Sequence, residues 1–185
     1  METKTRNNNY YLVMTAVMAA VIAAVAPLAV PIGPIPITLC TLAIYLSVYV
    51  LDWKMASVSV LVYILLGMVG MPVFNGFKGG LGVVAGPTGG YIAGYLPLVI
   101  LSGLAVTFAP ENRVLQYLGM VLATSVLYIL GTAWFCFQSG NPLDMAVQTC
   151  VLIFIPGDLL KMAAAITVGP VLRERLIKAG LHPKG

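Results

Sequence analysis

VLQYLGMVLATSVLYILGTAWFCF, residues 114–137, carries no charged side chain at any position. A helix needs roughly 20 apolar residues to cross the hydrocarbon of a bilayer, and this run supplies them. Comparable runs recur on both sides of it. Across the 185 residues, 60% are hydrophobic and 9% are charged, against about 25% charged in soluble domains. So few charges leave too little polar surface for a soluble fold. The chain reads as an all-α integral membrane protein, a single domain over residues 1–185.

Six transmembrane helices are expected, over residues 10–30, 38–51, 55–69, 91–108, 114–137 and 144–177. The first ends at the turn Pro31-Ile32-Gly33-Pro34-Ile35-Pro36. It lacks a small-x-small cleavage site before polar sequence, so no removable signal peptide is expected. A glycine-rich segment, MPVFNGFKGGLGVVAGPTGG (71–90), reads as an outer loop. The sixth run is interrupted at Ile155-Pro156-Gly157-Asp158.

Six spans place both termini on one side, together with Lys4, Arg6, Lys54, Arg113, Arg173, Arg175, Lys178 and Lys184. The opposite side then carries Lys78 alone. Short cytoplasmic segments are enriched in Lys and Arg, so both termini are expected inside, in the plasma membrane of a prokaryote. The net charge of +4 is explained by this orientation, and no nucleic-acid partner is expected. Cys40, Cys136 and Cys150 have no paired or metal-ligand spacing and lie inside apolar stretches. His182 falls in the tail. No metal or cofactor is expected.

Asp158 and Lys161 are the opposite charges set deep in an apolar run. Spaced i and i+3, they share a helix face. Charges in hydrocarbon cost at least ~2.5 kcal/mol each and mark functional sites by default. A ligand-contacting pair is the favoured reading, because Pro156 and Gly157 precede it and broken helix lines cavities in membranes. A self-neutralising pair that fixes helix packing is the other. In the glycine-rich segment, Asn75 and Thr88 offer hydrogen bonds beneath a lid, although a plain connector would have the same composition. Ala16, Ala20 and Ala24 repeat at the spacing that lets helices approach closely in lipid. Internal packing and docking of a separate membrane subunit both account for that stripe. Gly86, Gly90 and Gly94 repeat the spacing, and there internal packing is preferred. Phe74, Tyr91, Tyr95 and Trp134 are candidates for an apolar pocket wall. A second intramembrane acid, a Walker motif and a nucleophile paired with a base are all missing. The chain is equipped to recognise something and not to drive it inward.

Several segments together resemble the BioY family, the substrate-binding subunits of energy-coupling-factor (ECF) transporters. They are PIPITL (34–39), GMPVF (70–74), GGLG (79–82), GPTGGY (86–91) and PGDLLK (156–161), in family order and over nearly the whole chain. GPTGGY and PGDLLK are the specific ones. One departure is Cys40, where the family's ITLQTL segment has Gln; a ligand contact made by that amide would be lost or replaced here. The resemblance implies capture of biotin at the outer face without catalysis, and association with an EcfT-like membrane protein carrying two EcfA-type ATPases. It implies that Asn75, Asp158 and Lys161 hold the head group and that Ala16, Ala20 and Ala24 dock the coupling subunit; Thr88 and Tyr91, read from the residues themselves, are expected in the substrate site as well. An S-component for another vitamin or heterocycle, an intramembrane enzyme using Asp158, and a purely structural subunit are the rival readings.

Overall fold

The computed structural model describes residues 2–30 and 37–180, with side chains from Tyr10 to Ala29 and from Thr38 to Gly180. The turn at 31–36, the side chains of Lys4 and Arg6, and the tail holding His182 and Lys184 lie outside those residues. Among the described residues eight α-helices carry the fold: α1 (Glu2–Val25), α2 (Cys40–Val50), α3 (Trp53–Met68), α4 (Leu81–Val84), α5 (Gly89–Phe108), α6 (Arg113–Ser139), α7 (Leu143–Val147) and α8 (Ile155–Lys178). A π-helical turn, Gln148–Leu152, joins α7 to α8, and two short strands, β1 (Ala29–Val30) and β2 (Ile37–Thr38), pair antiparallel. Among the described residues three stretches are long and apolar enough to cross a membrane: Gly89–Phe108, Arg113–Ser139 and the run Leu143–Lys178. Tyr10–Val25, Cys40–Val50 and Trp53–Met68 are shorter apolar helices. At 1.5 Å per residue α2 is only about 16 Å long, and it lies in the centre of the bundle with Tyr45 and Tyr49 fully buried.

Three expected boundaries move, each for a local reason. The first run stops being helical at Val25 because Ala26 precedes Pro27, and a residue before proline is pushed out of the α region. Ala29 and Val30 then enter the β1–β2 pair. The last run is interrupted earlier than expected, through the π turn at Gln148–Leu152 and a turn at 153–154. Pro156 sits in the first turn of α8, where its missing N–H has no helical partner to lose. It starts a helix here and does not break one. The glycine-rich 71–90 segment is more than a loop: it contains α4, and α5 begins within it at Gly89.

Helix ends follow ordinary capping chemistry. Asp52 accepts the Met55 N–H at 2.8 Å and starts α3. Asn112 accepts the N–H groups of Val114 and Leu115, both at 3.1 Å, and starts α6. Gly140, at φ 68°, closes α6 in the left-handed conformation that glycine takes without penalty.

Close packing depends on missing side chains. A Cβ on Gly90 would lie 2.3 Å from that of Trp134, one on Gly94 would lie 2.6 Å from Leu127 Cδ1, and one on Gly131 would strike the Tyr91 ring at 2.4 Å. These glycines bring α5 and α6 together, as the Gly90 and Gly94 spacing predicts. The small stripe of α1 does the reverse. Thr15, Met18, Ala19, Ile22 and Ala26 are buried, while Ala16, Ala20 and Ala24 face outward.

The glycine-rich segment is pinned by Phe74, which is 1% exposed and meets Tyr63 edge to face at 5.7 Å. Gly67 leaves the room, since a Cβ there would lie 2.1 Å from Phe74 Cζ. Around it, Phe74 pairs with Lys78 across a tight turn, and Gly76 N–H donates to Pro27 O at 3.2 Å. Deleting a buried phenyl ring costs about 3 kcal/mol or more. Phe74→Ala is therefore expected to lower the thermal midpoint clearly and expose this segment to protease. An unchanged midpoint would show that Phe74 is no anchor.

Candidate functional site

The site forms where α8 begins. Asp158 lies in the first turn of α8, where the positive end of the helix dipole favours a carboxylate. One turn later Lys161 reaches back, and its Nζ donates to Asp158 Oδ1 at 2.9 Å. Asp158 is 5% exposed and Lys161 9%. An ion pair this deep persists only with further hydrogen bonds to offset desolvation.

Those bonds come from distant parts of the chain. Thr41, on α2, donates its hydroxyl to Asp158 Oδ1 at 3.4 Å and accepts from Lys161 Nζ at 3.3 Å. Tyr128, on α6, donates to Asp158 Oδ2 at 2.5 Å. Asp158 thus accepts three bonds out of about four lone-pair positions, and Lys161 uses two of its three donors. Among the described residues, one acceptor position on Asp158 Oδ2 and one ammonium proton on Lys161 are left without a partner. The complementary group is neutral and presents N–H and C=O together, as an amide or urea does.

A second ring of hydroxyls holds this arrangement. Tyr45 Oη pairs with Thr124 Oγ1 at 2.5 Å. Tyr91 Oη pairs with Thr132 Oγ1 at 3.0 Å and donates to the Cys150 carbonyl at 3.2 Å. Cys150 lies in the π turn, a type of helix defect that recurs at functional sites. Here the defect ties the approach to α8 to the start of α5.

Thr38, Thr41, Tyr91, Tyr95, Leu127, Tyr128, Phe154, Asp158 and Lys161 line a cavity of about 50 Å³. The structure therefore brings Tyr91 and Tyr95 to the Asp158–Lys161 pair. Asn75 and Thr88 are not among the lining residues: Asn75 sits in the Phe74–Lys78 turn, and Thr88 precedes α5 without capping it. Phe74 and Trp134 are also elsewhere. Phe74 packs on Tyr63, while Trp134 lies against Phe137 and donates Nε1–H to Gly86 O at 2.9 Å. Thr38, Thr41, Leu127, Tyr128 and Phe154 are the lining residues that sequence reasoning missed. One signal was available for Tyr128. Thr124, Tyr128 and Thr132 repeat every fourth residue, a polar face in an apolar run. Cys40 is buried at the start of α2. It is not among the residues that line the cavity.

Comparison with known proteins puts this geometry in context. The model of the BioY family matches residues 1–178. A probable biotin transporter BioY of Pyrococcus horikoshii is 34% identical over 88% of this chain and 93% of its own. The biotin transporter BioY of Thermotoga maritima is 32% identical over 88% of this chain and 95% of its own. Among solved structures, the S-component for biotin from an ECF-type ABC transporter superposes with a TM-score of 0.82. It is 29% identical, over 94% of this chain and 93% of that one.

Proposed function

Because this chain belongs to the BioY family, we propose that it captures biotin at the outer face of the membrane and delivers it inward as the S-component of an ECF-type importer. The observation that carries this is the spare donor and acceptor on the buried Asp158–Lys161 pair. The ureido ring of biotin presents N–H to Asp158 and its carbonyl to Lys161. Tyr91, Tyr95 and Phe154 give the fused rings an apolar wall. Asn75 and Thr88 complete the contacts from the outer segment.

A cavity of about 50 Å³ holds a water or two, whereas small-molecule sites generally measure about 300–1,000 Å³. Entry of biotin therefore requires the walls to part, and the 71–90 segment closes over the vitamin afterwards. Tyr91, just past its end, already lines the cavity.

The chain spans the plasma membrane of a prokaryote six times with both termini inside, its three shorter helices included. Transport energy comes from outside the chain. An EcfT-like membrane protein docks on Ala16, Ala20 and Ala24, and two EcfA-type ATPases hydrolyse ATP. This reading makes the chain a transport subunit and not an enzyme.

Equilibrium binding of the purified subunit to biotin and a panel of other vitamins tests the reading. Saturable binding of biotin, in preference to the panel, is expected. Preference for a different heterocycle would reassign the cargo. Iminobiotin adds a sharper comparison, because its protonated imino group sets a cation against Lys161 in place of a carbonyl. Loss of one charge-assisted bond, about 1.5–3 kcal/mol, predicts at least roughly tenfold weaker binding. Equal affinity for the two compounds would remove Lys161 from carbonyl recognition.

A further inference from the structure

α2 is tied to the rest of the bundle along a single row of hydroxyls. Thr41, Tyr45 and Tyr49 stand four residues apart on one face of the helix, and all three are buried. Each bonds to another helix. Thr41 meets Asp158 and Lys161, Tyr45 meets Thr124, and Tyr49 donates to Gln116 Oε1 at 2.7 Å. Ser47 is off this row and bonds inside its own helix, to Ile44 O at 2.6 Å.

The rung at Tyr49 has the most supports. Gln116 is 1% exposed, and both ends of its amide are engaged. Its Oε1 accepts from Tyr49, while Nε2 donates to Ala109 O at 2.8 Å and to Pro110 O at 3.1 Å. Those two carbonyls belong to the corner between α5 and α6. The Tyr49 ring also lies against α8, where a Cβ on Gly169 would be 2.3 Å from Tyr49 Cδ2. Tyr49 therefore joins α2 to α6, to that corner and to α8 at one place. Eight residues separate it from Thr41, about 12 Å along the helix axis.

Distances decide which rung governs the others. The bonds at Tyr45 and Tyr49 measure 2.5 and 2.7 Å, whereas those of Thr41 measure 3.4 and 3.3 Å. The second pair lies beyond the usual range of about 2.5–3.2 Å. Bonds so stretched follow the position of a helix and do not set it. Apolar packing does not set it either, because such contact is non-directional and packed helices shift past one another by about 1–2 Å. A displacement of about 0.3 Å is enough to take the Thr41 contacts out of bonding distance.

We propose that Tyr49 and Gln116 are positioning residues for the site: locked together at the far end of α2, they set its axial position and so hold the Thr41 hydroxyl within reach of the Asp158–Lys161 pair. The consequence for cargo rests on the biotin reading above. The position of α2 does not.

Methyl NMR of the full chain in detergent, isotope-labelled at the threonine methyl groups, tests this. Thr41→Val assigns the Thr41 signal. Tyr49→Phe removes one oxygen about 12 Å from that methyl group along the axis, too far for a direct effect. The Thr41 signal is expected to move by more than its linewidth, while that of Thr149, in the π turn, stays. Adding Gln116→Met removes the orphaned acceptor, which should raise the thermal midpoint again and leave Thr41 displaced. A Thr41 signal unmoved by Tyr49→Phe, or returning to its place as the midpoint recovers, would overturn the proposal. Should Tyr49→Phe fail to fold, Gln116→Met alone decides on the same terms. Titration with biotin reads the functional consequence. Tyr49→Phe should weaken binding at least about threefold with Thr41 in place, and less than about twofold beside Thr41→Val, since independent sites add to within about that factor. No weakening, or equal weakening in both backgrounds, would also overturn the proposal. Absence of biotin binding by the unaltered protein would refute the cargo alone, and the Thr41 signal would still decide the role of Tyr49 and Gln116.

Discussion

Replacing both Asp158 and Lys161 by alanine is expected to weaken biotin binding by roughly 100- to 10,000-fold, the effect of two charge-assisted bonds at about 1.5–3 kcal/mol each. The three variants together separate recognition from scaffolding. Lys161→Ala leaves a carboxylate 5% exposed with, among the described residues, only the Thr41 and Tyr128 hydroxyls for company. Asp158→Ala leaves an ammonium group held by Thr41 alone among the described residues. Breaking one side of a buried pair costs about 3–5 kcal/mol, whereas removing both partners is often close to neutral. Each single variant should therefore unfold at lower temperature than the double one. A scaffold-only pair predicts that the double variant, being the more stable, keeps its biotin. A recognition pair predicts a stable protein that no longer binds. Isothermal titration alongside thermal unfolding of all three reads both quantities, and undiminished affinity in the double variant would remove the pair from the binding site.

Ala20→Trp is expected to reduce ATP-driven biotin uptake to background while leaving binding by the isolated subunit intact. Ala16, Ala20 and Ala24 point away from the bundle, because α1 buries the other side of its surface. Part of that buried side meets α3, where Ser59 Oγ donates to the Thr15 carbonyl at 2.9 Å. A row of methyl groups lets another helix approach to backbone distance, and in lipid such approach is a main source of helix affinity. An indole in the middle of the row holds a docking helix several Ångströms away. It reaches nothing in the cavity at Asp158 and Lys161, whose lining comes from α2, α5, α6, α8 and the segments before them. Proteoliposomes containing the subunit with its coupling protein and ATPases provide the assay. Normal uptake by the variant would mean that the stripe merely faces lipid.

How much of this was legible beforehand depended on how far apart the cooperating residues lie. Asp158 and Lys161 are three positions apart on one helix, and helical geometry alone puts them on one face. The Gly90 and Gly94 spacing likewise announced a close contact, and the structure supplies its partners, Trp134 and Leu127. Thr41 is 117 positions from Asp158, and Tyr128 is 30. No local period reports such a meeting. Phe74 was expected in a pocket wall because aromatics are common there, but the gap left by Gly67 turned it into an anchor. Pro156 was expected to break a helix, and its effect depended on where the helix began. The π turn upstream set that point.

The sequence by itself determined that this chain lives in a membrane and that a compensated charge pair lies within it, since both follow from local composition and the 3.6-residue helical repeat. It also carried the family resemblance, in motifs that are contiguous along the chain. Tertiary structure decided which hydroxyls complete the pair and which side of α1 stays open. Those outcomes depend on which helices pack closely. Close packing depends on where a side chain is missing opposite a bulky one, a relation between residues far apart in the chain that no stretch of it contains.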